Sequence, residues 1–106
     1  MNLNEFKDWA VKQGTVAKYD DGQYRGECVS LINQYCHRVL GVPAQAWGHA
    51  WAWGKNEGNR LTNEYLIPYF DKVSDIQPGD IIVYDGRFGG GYGHIGIALN
   101  ATQMLD

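Results

Sequence analysis

The sequence has little proline, only two cysteines and no long apolar run. Three Pro occur among its 106 residues, and no apolar stretch approaches the ~20 residues that a membrane-spanning helix needs. The net charge of −3 at pH 7 also leaves no basic surface that would hold a nucleic acid backbone. We therefore expect neither membrane insertion nor nucleic-acid binding.

The N-terminal residues lack the pattern of a secretory signal, which is a charged region followed by an apolar stretch. Their apolar side chains instead recur at helical spacing, at Leu3, Phe6, Trp9 and Ala10, before Gly14. This pattern predicts an amphipathic helix. We expect a protein that is made in a host cytoplasm without a signal peptide and is delivered to any outside site by other means.

Aromatic residues and glycine are plentiful. The chain has four Trp, seven Tyr, three Phe and 14 Gly. Because aromatic faces with polar edges suit sugars and peptides, we expect a target that is held by shape and hydrogen bonds rather than by charge. The length supports one hydrophobic core, so a single domain over residues 1–106 is predicted.

The pattern changes from helical to extended along the chain. A second helix is predicted from Cys28 to Leu40, with Gly41 as its stop. Pro78 and Gly79 predict a turn before the sheet. Later apolar segments predict four strands, at residues 69–73, 80–85, 94–99 and 103–106. Helices followed by antiparallel strands are typical of an α+β fold.

The two cysteines play different parts. Eight residues of helix separate Cys28 from Cys36 by roughly 12 Å, which is too far for a disulfide, whose Cα atoms lie within about 7 Å. A shared zinc ion fails on the same geometry. Cys28 opens the helix, where free backbone N–H groups favour a thiolate, whereas Cys36 lies on the apolar face as a small hydrophobe.

A reactive thiol needs a base, and three histidines are available. His37 lies one residue off the buried helix face, and His49 lies among aromatic residues, which indicates packing or substrate contact. His94 begins an apolar strand directly after a glycine-rich loop. A strand start facing a helix N-terminus is the arrangement that a thiolate–imidazolium pair requires. The backbone N–H of Cys28 is a candidate donor to the oxyanion.

The segments RGECVSLI, AWGHAW and QPGDIIVYDGRFGGGYGHIGIAL together resemble the CHAP domain, a cysteine- and histidine-dependent amidohydrolase/peptidase family of phage and bacterial cell-wall lysins. The resemblance implies a papain-like α+β fold with N-terminal helices packed on a small antiparallel sheet. It implies Cys28 as nucleophile and His94 as base. The implied function is that of a phage lysin that cleaves an amide bond of peptidoglycan, as an endopeptidase or an N-acetylmuramoyl-L-alanine amidase.

The family orients its histidine with a polar residue on the following strand. Asp106, 12 residues beyond His94, is the candidate here, and Asn100 is closer but is expected in the turn after the strand. Because the chain ends at Asp106, we expect a domain that lacks its last strand or strands.

Further expectations concern ligands and partners. Some relatives bind calcium in the loop before the cysteine, which makes Asp20 and Asp21 the metal candidates, although no cofactor is required for thiol chemistry. The expected partner is bacterial peptidoglycan, bound by a monomer, with a separate wall-binding domain or subunit left open. Glu27 is expected to point outward or to contact substrate. The candidate substrate-binding residues are Tyr24, Glu27, Trp47, Phe88 and Tyr92.

Two other classes of protein remain open. A catalytically inactive phage structural or wall-binding module of the same fold would leave Cys28 unreactive with iodoacetamide at neutral pH. An intracellular cysteine protease or deubiquitinase-like enzyme would use the same thiol and imidazole on protein substrates.

Overall fold

The computed structural model describes residues 1–13, 28–45, 47–84, 91 and 93–106. Helix α1 spans Leu3–Gln13 and helix α2 spans Cys28–Tyr35, which continues into a π-helical turn at Cys36–Leu40. The other elements are a 3-10 helix at Ala50–Gly54 and the strands β1 (Asn56–Glu57), β2 (Arg60–Leu61), β3 (Ile81–Tyr84), β4 (His94–Ala98) and β5 (Met104–Leu105).

Helix α1 forms where the sequence predicts it, and a reciprocal cap fixes its start. The Asn2 Oδ1 atom accepts the Glu5 N–H at 2.9 Å, while the Glu5 Oε1 atom accepts the Asn2 N–H at 3.0 Å. Phe6 and Ala10 are buried, and the Phe6 ring lies 5.3 Å from the Tyr35 ring of α2. The amphipathic face therefore packs α1 against the second helix.

Helix α2 supplies the centre of the core. Its residues from Val29 to Tyr35 are all buried, and the helix packs against β4, where Ile95 and Ile97 are fully buried. Gly41 ends the helical segment with a φ of +68°, as the sequence predicts. The described part of the chain contains no helix that could cross a bilayer.

The main sheet is antiparallel and has the order β3-β4-β5. The residue partners include Tyr84 with His94, Ile82 with Gly96, and Ala98 with Met104. A turn with Pro78 and Gly79 at its centre leads into β3, as predicted. The Tyr35 hydroxyl donates to the Gly79 carbonyl at 2.7 Å, which ties this turn to α2.

The predicted strand at residues 69–73 is wrong. The chain forms consecutive turns over residues 64–69, in which the Tyr69 and Phe70 N–H groups both donate to the Leu66 carbonyl. Pro68 has no N–H to give to a sheet, and the buried Leu66 anchors the turn. The aromatic residues of this segment therefore do not belong to a strand. The other three strands are confirmed, and the fold is a small α+β arrangement.

Candidate active site

Cys28 is the first residue of α2 and is partly buried against the core. The helix that it opens packs directly on β4, the strand that His94 begins. The two residues thus start two elements in mutual contact. The N–H groups of the first turn of α2 have no partner within the helix, which makes this end a donor site for a negative charge.

His94 is bonded to Asp106. The His94 Nε2 atom lies 2.7 Å from the Asp106 Oδ2 atom, and the two side chains are 37% and 46% exposed. When the imidazole is neutral and Nε2–H donates to the carboxylate, Nδ1 carries the lone pair that can take a proton. The carboxylate therefore selects the tautomer that a general base needs.

The turn after β4 brings Asp106 to this position. Asn100 Oδ1 accepts the N–H groups of Thr102 and Gln103, both at 2.9 Å, and Leu99 N–H donates to the Gln103 carbonyl. Asn100 thus builds the reversal, as the sequence predicts. The chain returns as β5, and its register sets Asp106 on the same sheet face as His94, because cross-strand partners share a face.

Gly96 lies between these positions on that face of β4. A Cβ atom there would lie 2.6 Å from the Met104 Cγ and Sδ atoms. Glycine therefore leaves room for Met104 and for the Leu105 carbonyl where β5 pairs with β4.

Two aromatic residues lie near the start of β4; the sequence offered Trp51 only as one of several aromatic residues that could line a groove, with packing favoured, and did not offer Tyr84. The Tyr84 ring stacks near-parallel to the imidazole, with centroids 6.2 Å apart. Trp51, in the 3-10 helix, is 43% exposed and lies against Gly93. For Tyr84 the sequence does hold a signal, because the register of the hairpin places this residue opposite His94. No pattern distinguished Trp51 from the other tryptophans.

Gly93 allows β3 and the 3-10 helix to approach the start of β4 closely. Its φ is +78°, and a Cβ atom would lie 2.5 Å from the Tyr84 carbonyl oxygen and 2.8 Å from the Trp51 nitrogen. No side chain fits there without moving the backbone of β3 or of the 3-10 helix. The glycine before the histidine thus sets the distance between Trp51 and the start of β4.

Trp47 lies in a different cluster. Its ring stacks with those of Tyr65 and Tyr69, each at 6.0 Å, and lies 5.7 Å from the buried Trp53 ring. These contacts connect it to the turn at residues 64–69. The remaining predicted substrate and metal residues lie outside the described part of the chain, namely Tyr24, Glu27, Phe88, Tyr92, Asp20 and Asp21.

The second thiol and His37 do not belong to this group. Cys36 is fully buried, and burial raises the pKa of its thiol to about 12, which keeps it protonated and inert. The exposed His37 has its Nε2 atom 2.6 Å from the Ala44 carbonyl oxygen, and His49 is exposed. The described residues hold no cluster of three or more metal-ligating side chains.

A cleft of about 580 Å³ lies elsewhere, between β3 and the segment that follows the 64–69 turn. Leu66, Tyr69, Ile76 and Ile81 are among its lining residues, and Cys28, His94 and Asp106 are not. The lining of this cleft includes carboxylates and Lys72 but neither a cysteine nor a histidine, so it does not offer a thiol and an imidazole together. The candidate centre is therefore assigned by its reactive groups and not by cavity size.

The sequence model of the CHAP domain matches residues 18–103, a range that includes Cys28 and His94 and stops short of Asp106. No solved structure was found to match the chain.

Proposed function

The chain belongs to the CHAP domain family, whose members are generally hydrolases acting on peptidoglycan, and from this premise we propose that it cleaves a peptidoglycan amide bond by a Cys–His mechanism. One observation carries the proposal: His94 is paired with Asp106 at the start of the strand on which the Cys28 helix packs. A histidine that only packed against its neighbours would not need a carboxylate hydrogen-bonded to Nε2.

In the proposed reaction the Cys28 thiol gives its proton to His94 Nδ1, and the thiolate attacks the amide carbonyl carbon. The first-turn N–H groups of α2 stabilise the oxyanion. The C–N bond then breaks, and the imidazolium protonates the leaving amine. Water, deprotonated by His94, hydrolyses the resulting thioester and regenerates the thiol. Asp106 accepts the Nε2–H bond throughout and stabilises the imidazolium.

We further propose a papain-like arrangement, in which a helix begins with the nucleophile and packs on an antiparallel sheet that carries the base. The order α2, β3, β4 and the contact between α2 and β4 support it. The proposed biological setting is a monomeric phage lysin that acts on the bacterial wall, as an endopeptidase or as an N-acetylmuramoyl-L-alanine amidase.

A wall-clearing assay tests the mechanism. Purified Gram-positive cell walls are mixed with the wild-type protein, Cys28→Ala or Cys36→Ala, and turbidity is followed over time. We expect Cys28→Ala to abolish clearing and Cys36→Ala to retain it once circular dichroism shows that both are folded. Clearing by Cys28→Ala, or its loss only in Cys36→Ala, would contradict the assignment. Mass spectrometry of the released fragments identifies the bond.

We propose that no cofactor is required, because a thiol and an imidazole supply both the nucleophile and the proton transfer. A calcium ion at Asp20 and Asp21 remains the alternative. Repeating the assay in excess EDTA, then with added calcium, separates the two: clearing that persists in EDTA supports the cofactor-free reaction, and clearing that returns only with calcium supports the metal.

A further inference from the structure

Three aromatic rings form a surface that the proposed chemistry does not use. Trp47 stacks with Tyr65 and Tyr69 at interplanar angles of 13° and 15°, so the three ring planes are nearly parallel. Tyr65 is 53% exposed and Tyr69 is 47% exposed. Near-parallel rings, half of whose surface faces water, offer flat apolar faces with hydroxyl groups at their edges. We call this group the aromatic platform.

The platform is held rigidly. The side chain of the buried Asn63 donates from Nδ2 to the Ala52 carbonyl at 2.8 Å and accepts the Tyr65 N–H at 3.0 Å. Leu66, in the same turn, is buried in the core. The backbone of the turn that carries the tyrosines is therefore tied to the 3-10 helix, and a surface on a well-held turn loses little conformational entropy on binding.

The neighbouring groups favour a neutral polar ligand. Glu64 and Asp71 are exposed beside the tyrosines in the sequence, which disfavours an anionic partner. Tyr69 also lines the 580 Å³ cleft, together with Asn56 and Lys72. The Lys72 ammonium donates to Asn56 Oδ1 at 3.1 Å and to the Gly58 carbonyl at 2.8 Å, so a cluster of polar atoms lies beside an aromatic face. Flat apolar faces bordered by polar atoms are the combination that suits sugars.

The 3-10 helix contacts both the platform and the start of β4. Trp47 contacts Trp53, which belongs to that helix, and Trp51 of the same helix lies against Gly93, next to His94. A polymer that carries sugars and peptides could therefore meet the platform with one part and the thiol with another.

We propose that the aromatic platform is a subsite for the acetamido sugars of the peptidoglycan glycan strand, with Tyr65 and Tyr69 as the stacking residues. This inference rests on the proposed function, because it assigns the glycan part of the same substrate. It places sugar recognition on the 64–69 turn, away from the residues that carry the chemistry.

A binding experiment on the inactive protein tests the subsite separately from hydrolysis. Cys28→Ala is titrated with a hexamer of N-acetylglucosamine by isothermal calorimetry, and then combined with Tyr65→Ala, Tyr69→Ala or Ile67→Ala. Ile67 is 54% exposed on the same turn, so its variant is the matched control. We expect each tyrosine variant to raise Kd by about tenfold, as the loss of one stacking contact would. The Ile67 variant should bind as its parent does.

A hexamer of glucose, which lacks acetamido groups, is the ligand control and should bind more weakly. Absence of saturable binding by the acetamido hexamer, or equal Kd values for the two tyrosine variants and the Ile67 control, would overturn the inference while leaving the wall-clearing result untouched. Two other occupants are checked directly. Binding of the protein to neutral phospholipid vesicles would assign the surface to a membrane instead. A dimer in size-exclusion chromatography that Tyr65→Ala converts to a monomer would assign it to a second copy.

Discussion

A carboxylate and an aromatic ring lie beside the His94 imidazole. The Asp106 carboxylate binds Nε2, whereas the Tyr84 ring lies near-parallel to the imidazole. The carboxylate fixes the tautomer and the ring stack restricts rotation of the side chain. In the proposed mechanism Asp106 is thus a positioning residue that acts through His94.

Asp106→Asn should lower kcat with little change in KM, because the amide keeps the size of the carboxylate but loses its charge. In Ser–His–Asp triads the equivalent change lowers kcat by about 10⁴-fold, and we expect a loss of roughly 10²–10⁴-fold here. Asp75→Asn, on the exposed segment before the Pro78 turn, is the control. The measurement is the initial rate of wall hydrolysis across pH. Equal rates for the two variants would remove Asp106 from the mechanism.

The two thiols should differ in reactivity toward iodoacetamide. Alkylation requires a thiolate, and burial raises the pKa of Cys36 to about 12, so that residue stays protonated at pH 7–9. Cys28 is partly exposed at a helix start. Intact mass and peptide mapping should show one adduct, on Cys28, in the folded protein and two adducts in urea. Labelling of Cys36 first, or no labelling of Cys28 at neutral pH, would support an inactive module.

At the scale of elements, Gly93 determines how the 3-10 helix approaches the sheet. Gly93→Ala adds a Cβ within 2.8 Å of backbone atoms in both elements and places alanine at a φ of +78°. We expect a loss of about 1–3 kcal/mol in the free energy of unfolding, together with reduced hydrolysis. Urea unfolding followed by fluorescence measures the first.

The matched control is Gly91→Ala. Gly91 has a φ of +95°, but a Cβ atom there meets nothing within 4 Å. Both variants place alanine at a positive φ, which destabilises the folded state, and only Gly93→Ala also forces two elements apart. A Gly91 variant as unstable and inactive as the Gly93 variant would show that backbone conformation, and not the close approach of Trp51, is what matters.

Local sequence patterns predicted the elements whose structure is determined by residues close together in the sequence. The apolar spacing of α2, the runs that form β3 and β4, and the Pro78–Gly79 turn all act within a few residues. The segment at 69–73 begins with two aromatic residues, but Pro68 and the burial of Leu66 place Tyr69 at the end of a turn, and residues 70–73 form no strand. Local patterns also indicated Cys28 and His94 as candidate residues, and their roles stay predictions. The position of Trp51 beside Gly93 could not be predicted, because it depends on contacts between distant segments.

At the scale of the whole molecule, one core joins both helices to the sheet, and among the described residues two buried titratable groups belong to it. Tyr35 and Cys36 are adjacent on the helical segment and both are buried. Burial raises the pKa of each, and for Tyr35 the nearby Cys36 and Asp80 raise it further. Since the folded state holds these protons more tightly than the unfolded chain does, folding opposes their release at high pH.

The stability of the whole fold should therefore fall on the alkaline side. Below the unfolded thiol pKa of ~8.5 both states keep the Cys36 proton and the stability does not depend on it. Between there and about 12 the unfolded chain has lost the proton while the folded protein keeps it, so unfolding is favoured by ~1.4 kcal/mol per pH unit from this thiol. Cys36→Ala removes that contribution. Urea unfolding at pH 8, 9 and 10 should show a shallower decline in the variant than in the wild type, even if the variant starts less stable because of the cavity. Parallel declines would mean that the Cys36 thiol is not buried in the folded protein.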